Sequence, residues 1–182
     1  HPLTRDYAQR TADYYDLHFD PDLQEALTFV DDNGARCSRA WQLPRNKEDV
    51  QQRREFHATV SRKIGYAQYG RLPDTSTSVL FTLIDDPGPW ETASVGADGR
   101  GLADNIRRYW AAAKAADRLT VPVFIDSQPD RSREDAFKTS PDLRLVSSDD
   151  EGITVNGIKA VSTGAIFAEW LLVGLFYRPG MT

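Results

Sequence analysis

The chain has 182 residues, 40% of them hydrophobic and 27% charged, with a net charge of −5. That length suits one domain and part of another, and the acidic balance excludes the basic field that a DNA or RNA partner needs. A single cysteine, Cys37, rules out an internal disulfide, and with only three histidines beside it leaves no zinc or iron–sulfur ligand set, so no metal is expected unless carboxylates alone hold one.

Taken in chain order, Pro2 suits the first turn of a helix, and Leu3, Tyr7, Ala8, Thr11, Ala12 and Tyr15 follow at three- and four-residue spacing, predicting a helix to about Leu17. Asp20-Pro21-Asp22 opens a short predicted helix holding Leu23, Ala26, Leu27 and Val30, which the turn chemistry of Asp31 to Gly34 ends. Ala35 to Leu43 reads as an irregular connector. Asn46 is an N-cap, with Glu48 and Asp49 in the first turn of a helix running to about Tyr69. Val50, Phe56, Val60, Ile64 and Ala67 form its apolar stripe, with the charges, Arg53 among them, solvated.

Gly70 to Asp74 breaks that helix: Gly70 fits a left-handed terminus, Pro73 prevents continuation and Asp74 can cap the next segment. Thr75 to Ile84 reads as helix or strand on nearly equal terms. Pro87-Gly-Pro89 and Gly96 to Gly99 bracket an exposed loop, and Leu102, Ile106, Tyr109, Trp110 and Ala113 mark a helix from Leu102 to Ala116. At Asp117 to Arg131 the pattern changes. Val121, Val123 and Ile125 sit two apart and would share one strand face, and Gln128, Pro129, Asp130 and Arg131 make a polar turn. Leu143 to Val146, Ile153 to Val155, Ile158 to Val161 and Leu171 to Tyr177 read as further strands, with turns at Asp149 to Gly152 and Asn156-Gly157. The apolar run Trp170 to Tyr177 is far shorter than the roughly 20 residues that cross a bilayer, and no charged-then-apolar signal opens the chain. A soluble cytoplasmic protein with no membrane partner is expected. His1 in place of an initiator Met, and an end straight after a strand-like segment, predict a piece of a longer protein.

No Ser/His/Asp motif, P-loop or nucleotide-binding Gly fingerprint is present. Arg71, in its helix-breaking turn, either satisfies helix carbonyls or holds a guanidinium for an anionic or phenolic oxygen. Gln128 and Arg131 carry the same pair of readings, as a solvated loop or as a ligand seat where helices meet a sheet. Thr163, where a strand enters a Gly turn, is a turn residue or presents its hydroxyl to a ligand.

Four short motifs stand in order: Gly70-Arg-x-Pro-Asp74, Asp117-x-Leu-Thr, Gln128-x-Asp-Arg-Ser132 and Gly152-Ile-x-Val-x-Gly-x-Lys-x-x-x-Thr-Gly164. Together with His1-Pro-Leu-Thr and Tyr15-Asp-Leu they resemble the 4-hydroxyphenylacetate 3-hydroxylase oxygenase family over essentially the whole chain. The resemblance implies an α+β fold of acyl-CoA-dehydrogenase-like architecture, truncated: an N-terminal helical domain at 1–118, the first strands of a β-barrel domain at 119–182, and no C-terminal helical bundle. It implies a two-component monooxygenase in which a separate flavin reductase supplies reduced FAD (FADH2), oxygen adds at flavin C4a, and the hydroperoxide hydroxylates a phenol; full length, the protein would be a homotetramer. Arg71 matches the substrate-binding Arg that stabilises a phenolate oxygen, with Asp74 and Thr75 beside it. Pro122, Val123 and Phe124 match one flavin-contacting segment, Gln128, Pro129, Asp130 and Arg131 the flavin-contacting turn, and Thr163 the flavin-contacting Thr.

Two positions depart from the family pattern. Its phenol-binding Tyr is Thr75, which is too short to reach as far, and its substrate- and flavin-contacting His is Pro122, or Val121 one register away, with no side-chain donor. These departures imply a substrate other than 4-hydroxyphenylacetate, either a different small aromatic or a larger, carrier-linked one. Two further readings remain: a flavin-dependent acyl-thioester dehydratase or desaturase of the same scaffold, whose iron–sulfur branch a single Cys disfavours, and a non-catalytic fragment.

Overall fold

A computed structural model describes residues 1–65, 74–91, 101–127, 132, 141–149, 151–160 and 162–175, with Asp74 and Pro89 described by backbone alone. Helix α1 (Pro2–Asp16) starts with Pro2 in its first turn under a His1 side-chain cap and passes into a 3-10 turn, Leu17–Phe19. The short helix foreseen after Asp20 is one turn only, α2 (Gln24–Leu27). Val30 is not helical: β1 (Thr28–Val30) pairs antiparallel with β2 (Arg36–Ser38), Phe29 opposite Cys37, so the connector expected from Ala35 contains a strand. The turn signals that ended the helical reading close this hairpin instead. The Asp31 carboxylate accepts from the backbone N–H groups of Asn33 and Ala35, and β-branched Thr28 and Val30 favour the strand once it has a partner.

Helix α3 (Lys47–Ile64) is capped as its sequence indicates, the Asn46 side chain accepting from the Asp49 N–H at 2.9 Å. It stops at Gly65, which takes the left-handed conformation (φ 68°), five residues before the expected breaker; Gly70 and Ala67 lie outside the described residues. Phe56, Val60 and Ile64 are buried, whereas Val50 is 55% exposed and outside the core. The expectation that Arg53 is solvated fails. It is buried and donates to the Ala40 carbonyl at 2.9 Å and the Thr77 hydroxyl at 2.6 Å, with its guanidinium 4.5 Å from the centre of the Phe81 ring.

The ambiguous segment is helical, α4 (Asp74–Asp85), followed by the short α5 (Gly88–Glu91) where a loop was expected, and α6 (Leu102–Ala115). Packing decides for helix at α4, because it buries Ser76, Thr77 and Leu80 against α6, the 3-10 turn Arg39–Trp41 and the first strand of the later part of the chain. That strand, β3 (Thr120–Val123), lies parallel to β6 (Trp170–Val173), Thr120 opposite Trp170 and Val123 opposite Val173. Val121 and Val123 are buried, but Ile125 is past the strand end and 53% exposed, so the three do not share one buried face. β4 (Arg144–Asp149) and β5 (Gly152–Asn156) form an antiparallel hairpin, with an irregularity between Leu145 and Ser147. Ile158 makes only an isolated bridge to Asp142. Among the described residues the strands form three two-stranded sheets and no closed barrel.

The core gathers Tyr14, Leu27, Ala40, Trp41, Phe56, Val60, Ile64, Leu80 and Ala113, against which Tyr109, Trp110 and Leu172 pack. No helix among the described residues is long and apolar enough to cross a membrane.

Candidate functional site

The end of β3 is fixed carbonyl by carbonyl. Pro122 O accepts from the Ser162 hydroxyl at 3.2 Å, Val123 O from the Gly174 N–H at 3.1 Å, and Ile125 O from the Ala160 N–H at 3.0 Å. The Lys159 ammonium lies 3.5 Å from Phe124 O. Three of these four donors come from residues 159–162, so the segment that closes on β3 leads straight into Thr163. Thr163 is exposed, stands before Gly164 in the left-handed region (φ 83°), and has a hydroxyl without a hydrogen bond among the described residues. Pro122 and Phe124 are half-buried and Val123 buried. The Phe124 ring packs close to Gly174, where an added Cβ would meet it at 2.5 Å. The structure therefore sets Thr163 one residue from Ser162, whose hydroxyl bonds the Pro122 carbonyl.

The start of α4 reaches the other end of the same strand. Ser76, fully buried, donates to the Thr120 carbonyl at 2.7 Å, and Thr120 Oγ1 meets the Tyr109 hydroxyl at 2.5 Å. Thr75 is thus one residue from a side chain bonded to β3, two residues along the strand from Pro122. Burial raises the Tyr109 phenol above the usual tyrosine range, so it stays protonated in this contact. Asp74 begins α4. Arg71, Gln128, Pro129, Asp130 and Arg131 lie outside the described residues.

The turn from α6 into β3 is set by Asp117. It is the one non-glycine residue with positive φ (46°) among the described residues, and its carboxylate accepts from the Trp41 indole N–H at 3.0 Å. Burial holds the Asp117 carboxyl above the ordinary aspartate range, although His18 and the Trp41 bond pull it down. His18 itself is committed. Its Nδ1 donates to the Tyr14 carbonyl at 3.0 Å, which can only accept, and its Nε2 meets the Ser38 hydroxyl at 2.9 Å. A cavity of about 390 Å³ beside it, lined by Tyr15, Arg36, Cys37 and Lys114 among others, has its cations already engaged: Lys114 with Asp31 at 2.5 Å and Arg36 with Thr28 at 2.9 Å. Burial raises the Cys37 thiol, which keeps it unreactive.

Sequence reasoning did not single out Ser76, Thr120, Lys159 or Ser162. Lys159 and Ser162 sit inside the motif that ends at Gly164, and their chemistry beside Thr163 was the available signal. Thr120 ends the motif Asp117-x-Leu-Thr, which was its signal; Ser76 had none, since it acts through a contact 44 residues away.

The family model described as "4-hydroxyphenylacetate 3-hydroxylase N terminal" matches residues 1–181. Over 181 residues the chain is 48% identical to the 2,4,6-trichlorophenol monooxygenase of Cupriavidus pinatubonensis, covering 100% of this chain and 35% of that protein. Over 182 residues it is 48% identical to the FADH(2)-dependent monooxygenase TftD of Burkholderia cepacia, again covering 100% and 35%. The chain thus spans about a third of the length of these curated relatives. The crystal structure of the oxygenase component of 4-hydroxyphenylacetate 3-monooxygenase complexed with FAD superposes with a TM-score of 0.77 at 24% identity, covering 99% of this chain and 36% of that one. At that identity the likeness establishes the α+β fold.

Proposed function

The chain belongs to the 4-hydroxyphenylacetate 3-hydroxylase N-terminal family, and from that membership we propose that it is the N-terminal part of the oxygenase component of a two-component flavin monooxygenase acting on a phenol. The observation that carries this is the 48% identity, over the whole chain, to a trichlorophenol monooxygenase and to an FADH(2)-dependent monooxygenase. We assign 1–118 to the helical domain and 119–182 to the opening strands of the next. A separate reductase delivers the flavin by diffusion, and the full-length protein is a homotetramer.

The residues at the end of β3 suit a reduced FAD. An exposed Thr163 hydroxyl with no partner among the described residues follows Ser162, which bonds the Pro122 carbonyl, and Pro122 and Phe124 are half-buried on either side of buried Val123, their own carbonyls already satisfied. A flat ring system docking there leaves no buried polar group unpaired and gives Thr163 something to bond. When bound, reduced FAD supplies activated oxygen through its C4a position. The chain's own tasks are binding, orientation and exclusion of water. Pro122 and Phe124, with buried Val123 between them, form the apolar wall, and Gln128, Pro129, Asp130 and Arg131 grip the cofactor's polar parts. Arg71 holds the phenol as its phenolate, enriching the ring carbon that receives oxygen. Asp74 and Thr75 complete the phenol side.

Thr75 and Pro122 leave more room, and fewer donors, than a tyrosine and a histidine. That suits a compact ring carrying bulky substituents better than a carrier-linked one, and we take a polychlorinated phenol as the substrate class. The test supplies the full-length polypeptide with reduced FAD, 2,4,6-trichlorophenol and ¹⁸O₂. One labelled oxygen in the phenolic product is the expected result; unlabelled product, or none with any phenol tried, overturns the reading.

A further inference from the structure

Lys159 is unusual for a lysine in being almost wholly buried, its side chain 6% exposed, with its ammonium against the Asp126 carboxylate, which is 29% exposed. A lysine serving only solubility keeps its head in water, and a buried ammonium is tolerated only when paired. The place where it is buried gives it a task. β3 and its ladder to β6 end at Val123, and past it the Ile125 carbonyl still takes the Ala160 N–H at 3.0 Å. Side chains supply further anchors. The Asp142 carboxylate accepts from both the backbone N–H (2.8 Å) and the hydroxyl of Ser127, and Lys159 spans Asp126 and the Phe124 carbonyl at 3.5 Å. Lys159 reaches that position because Gly157 (φ 137°) lets the chain run hard against Asp142, whose carbonyl oxygen an added Cβ would meet at 2.3 Å.

We propose that Lys159 is a positioning residue for the flavin: its buried pair with Asp126 fixes Phe124, and so the apolar wall on which the ring docks. The inference rests on the flavin-binding reading of Pro122 to Phe124. Lys159 acts through Phe124 and touches no reacting atom, so its loss changes flavin affinity while the KM for the phenol stays near the wild-type value.

The experiment uses the full-length polypeptide as wild type, Lys159→Met, Lys159→Arg and the double variant Lys159→Met/Asp126→Asn. Each is titrated anaerobically with reduced FAD, and its thermal midpoint is measured. Lys159→Met leaves Asp126 uncompensated and is expected to lower the midpoint and weaken reduced-FAD binding by about tenfold or more. Lys159→Arg keeps the pair and recovers binding to within about threefold of wild type. The double variant removes the unpaired charge and recovers the midpoint, but not flavin affinity. That separation distinguishes positioning from plain stabilisation: a double variant in which midpoint and affinity recover together overturns the proposal, as does a Lys159→Met affinity within about twofold of wild type. If Lys159→Met does not fold, the other two variants decide. A wild type that binds reduced FAD beside unaffected variants sinks this inference alone, whereas a wild type that binds none sinks it together with the proposed function.

Discussion

At the scale of single residues, buried polar groups tie the helices to β3. Arg53 joins three segments, and Arg39 does the same near the β1–β2 hairpin, donating to the carbonyls of Ala26, Glu25 and Thr28 and to Gln42 and Gln52. Asp117 differs in being held partly against its own chemistry. Its folded form binds a proton more tightly than its unfolded form, so it contributes less to stability as pH rises from the ordinary aspartate range through the raised value. Asn accepts the same indole bond and tolerates positive φ without a charge. Asp117→Asn is therefore expected to be at least as stable as wild type at pH 7, the gap closing as pH falls to 4; urea midpoints across that range check it, and a gap that widens on acidification refutes it. The two proposed arginines separate by role. Arg131→Ala should weaken reduced-FAD binding about tenfold, as loss of a charge-assisted bond does. Arg71→Ala should leave flavin affinity near wild type and lower turnover of the phenol by about a hundredfold, which flavin titration and product analysis on the full-length polypeptide distinguish.

At the scale of elements, the N-terminal caps did what their chemistry requires, α3 stopped at Gly65 ahead of the expected breaker, and pairing depended on distant partners. Asn46 starts α3 and Pro2 sits in the first turn of α1 as written in the sequence. Thr28 to Val30 and Thr75 to Ile84 are each compatible with two conformations, and in each the neighbour chose: β2 drew the first into a hairpin, and packing against α6 and β3 made the second a helix. The β5-to-159 connection is the tightest of these joins. Gly157→Ala forces both a positive φ and a clash with Asp142 backbone, so it should cost about 1–3 kcal/mol. Because Asp142 anchors Ser127, the same variant should also bind reduced FAD more weakly; an unchanged denaturation midpoint would show that the backbone there gives way freely.

At the scale of the whole molecule, the chain is a helical layer whose core side chains, Trp41 and Phe56 at its centre, meet a strand that carries the candidate site on its far end. β3 is held from three directions: by α4 through Ser76, by β6 through its parallel ladder, and by residues 159–162 through side chains and backbone. Those contacts join residues 40 to 50 positions apart or close to it, which is why the site's position was not visible in local patterns. The sequence by itself determined the helices with unambiguous period and caps, the change from helix to strand near Thr120, and the family, because each of these is written in near-neighbour chemistry or in motif order. Only the tertiary structure decided which strand β3 would pair with, that Arg53 would be buried, and that Lys159 and Ser162 would fasten the segment beside Thr163. The physical reason is the same in each case: a hydrogen bond or ion pair across the fold depends on where the partner backbone arrives, and no periodicity along one segment encodes that.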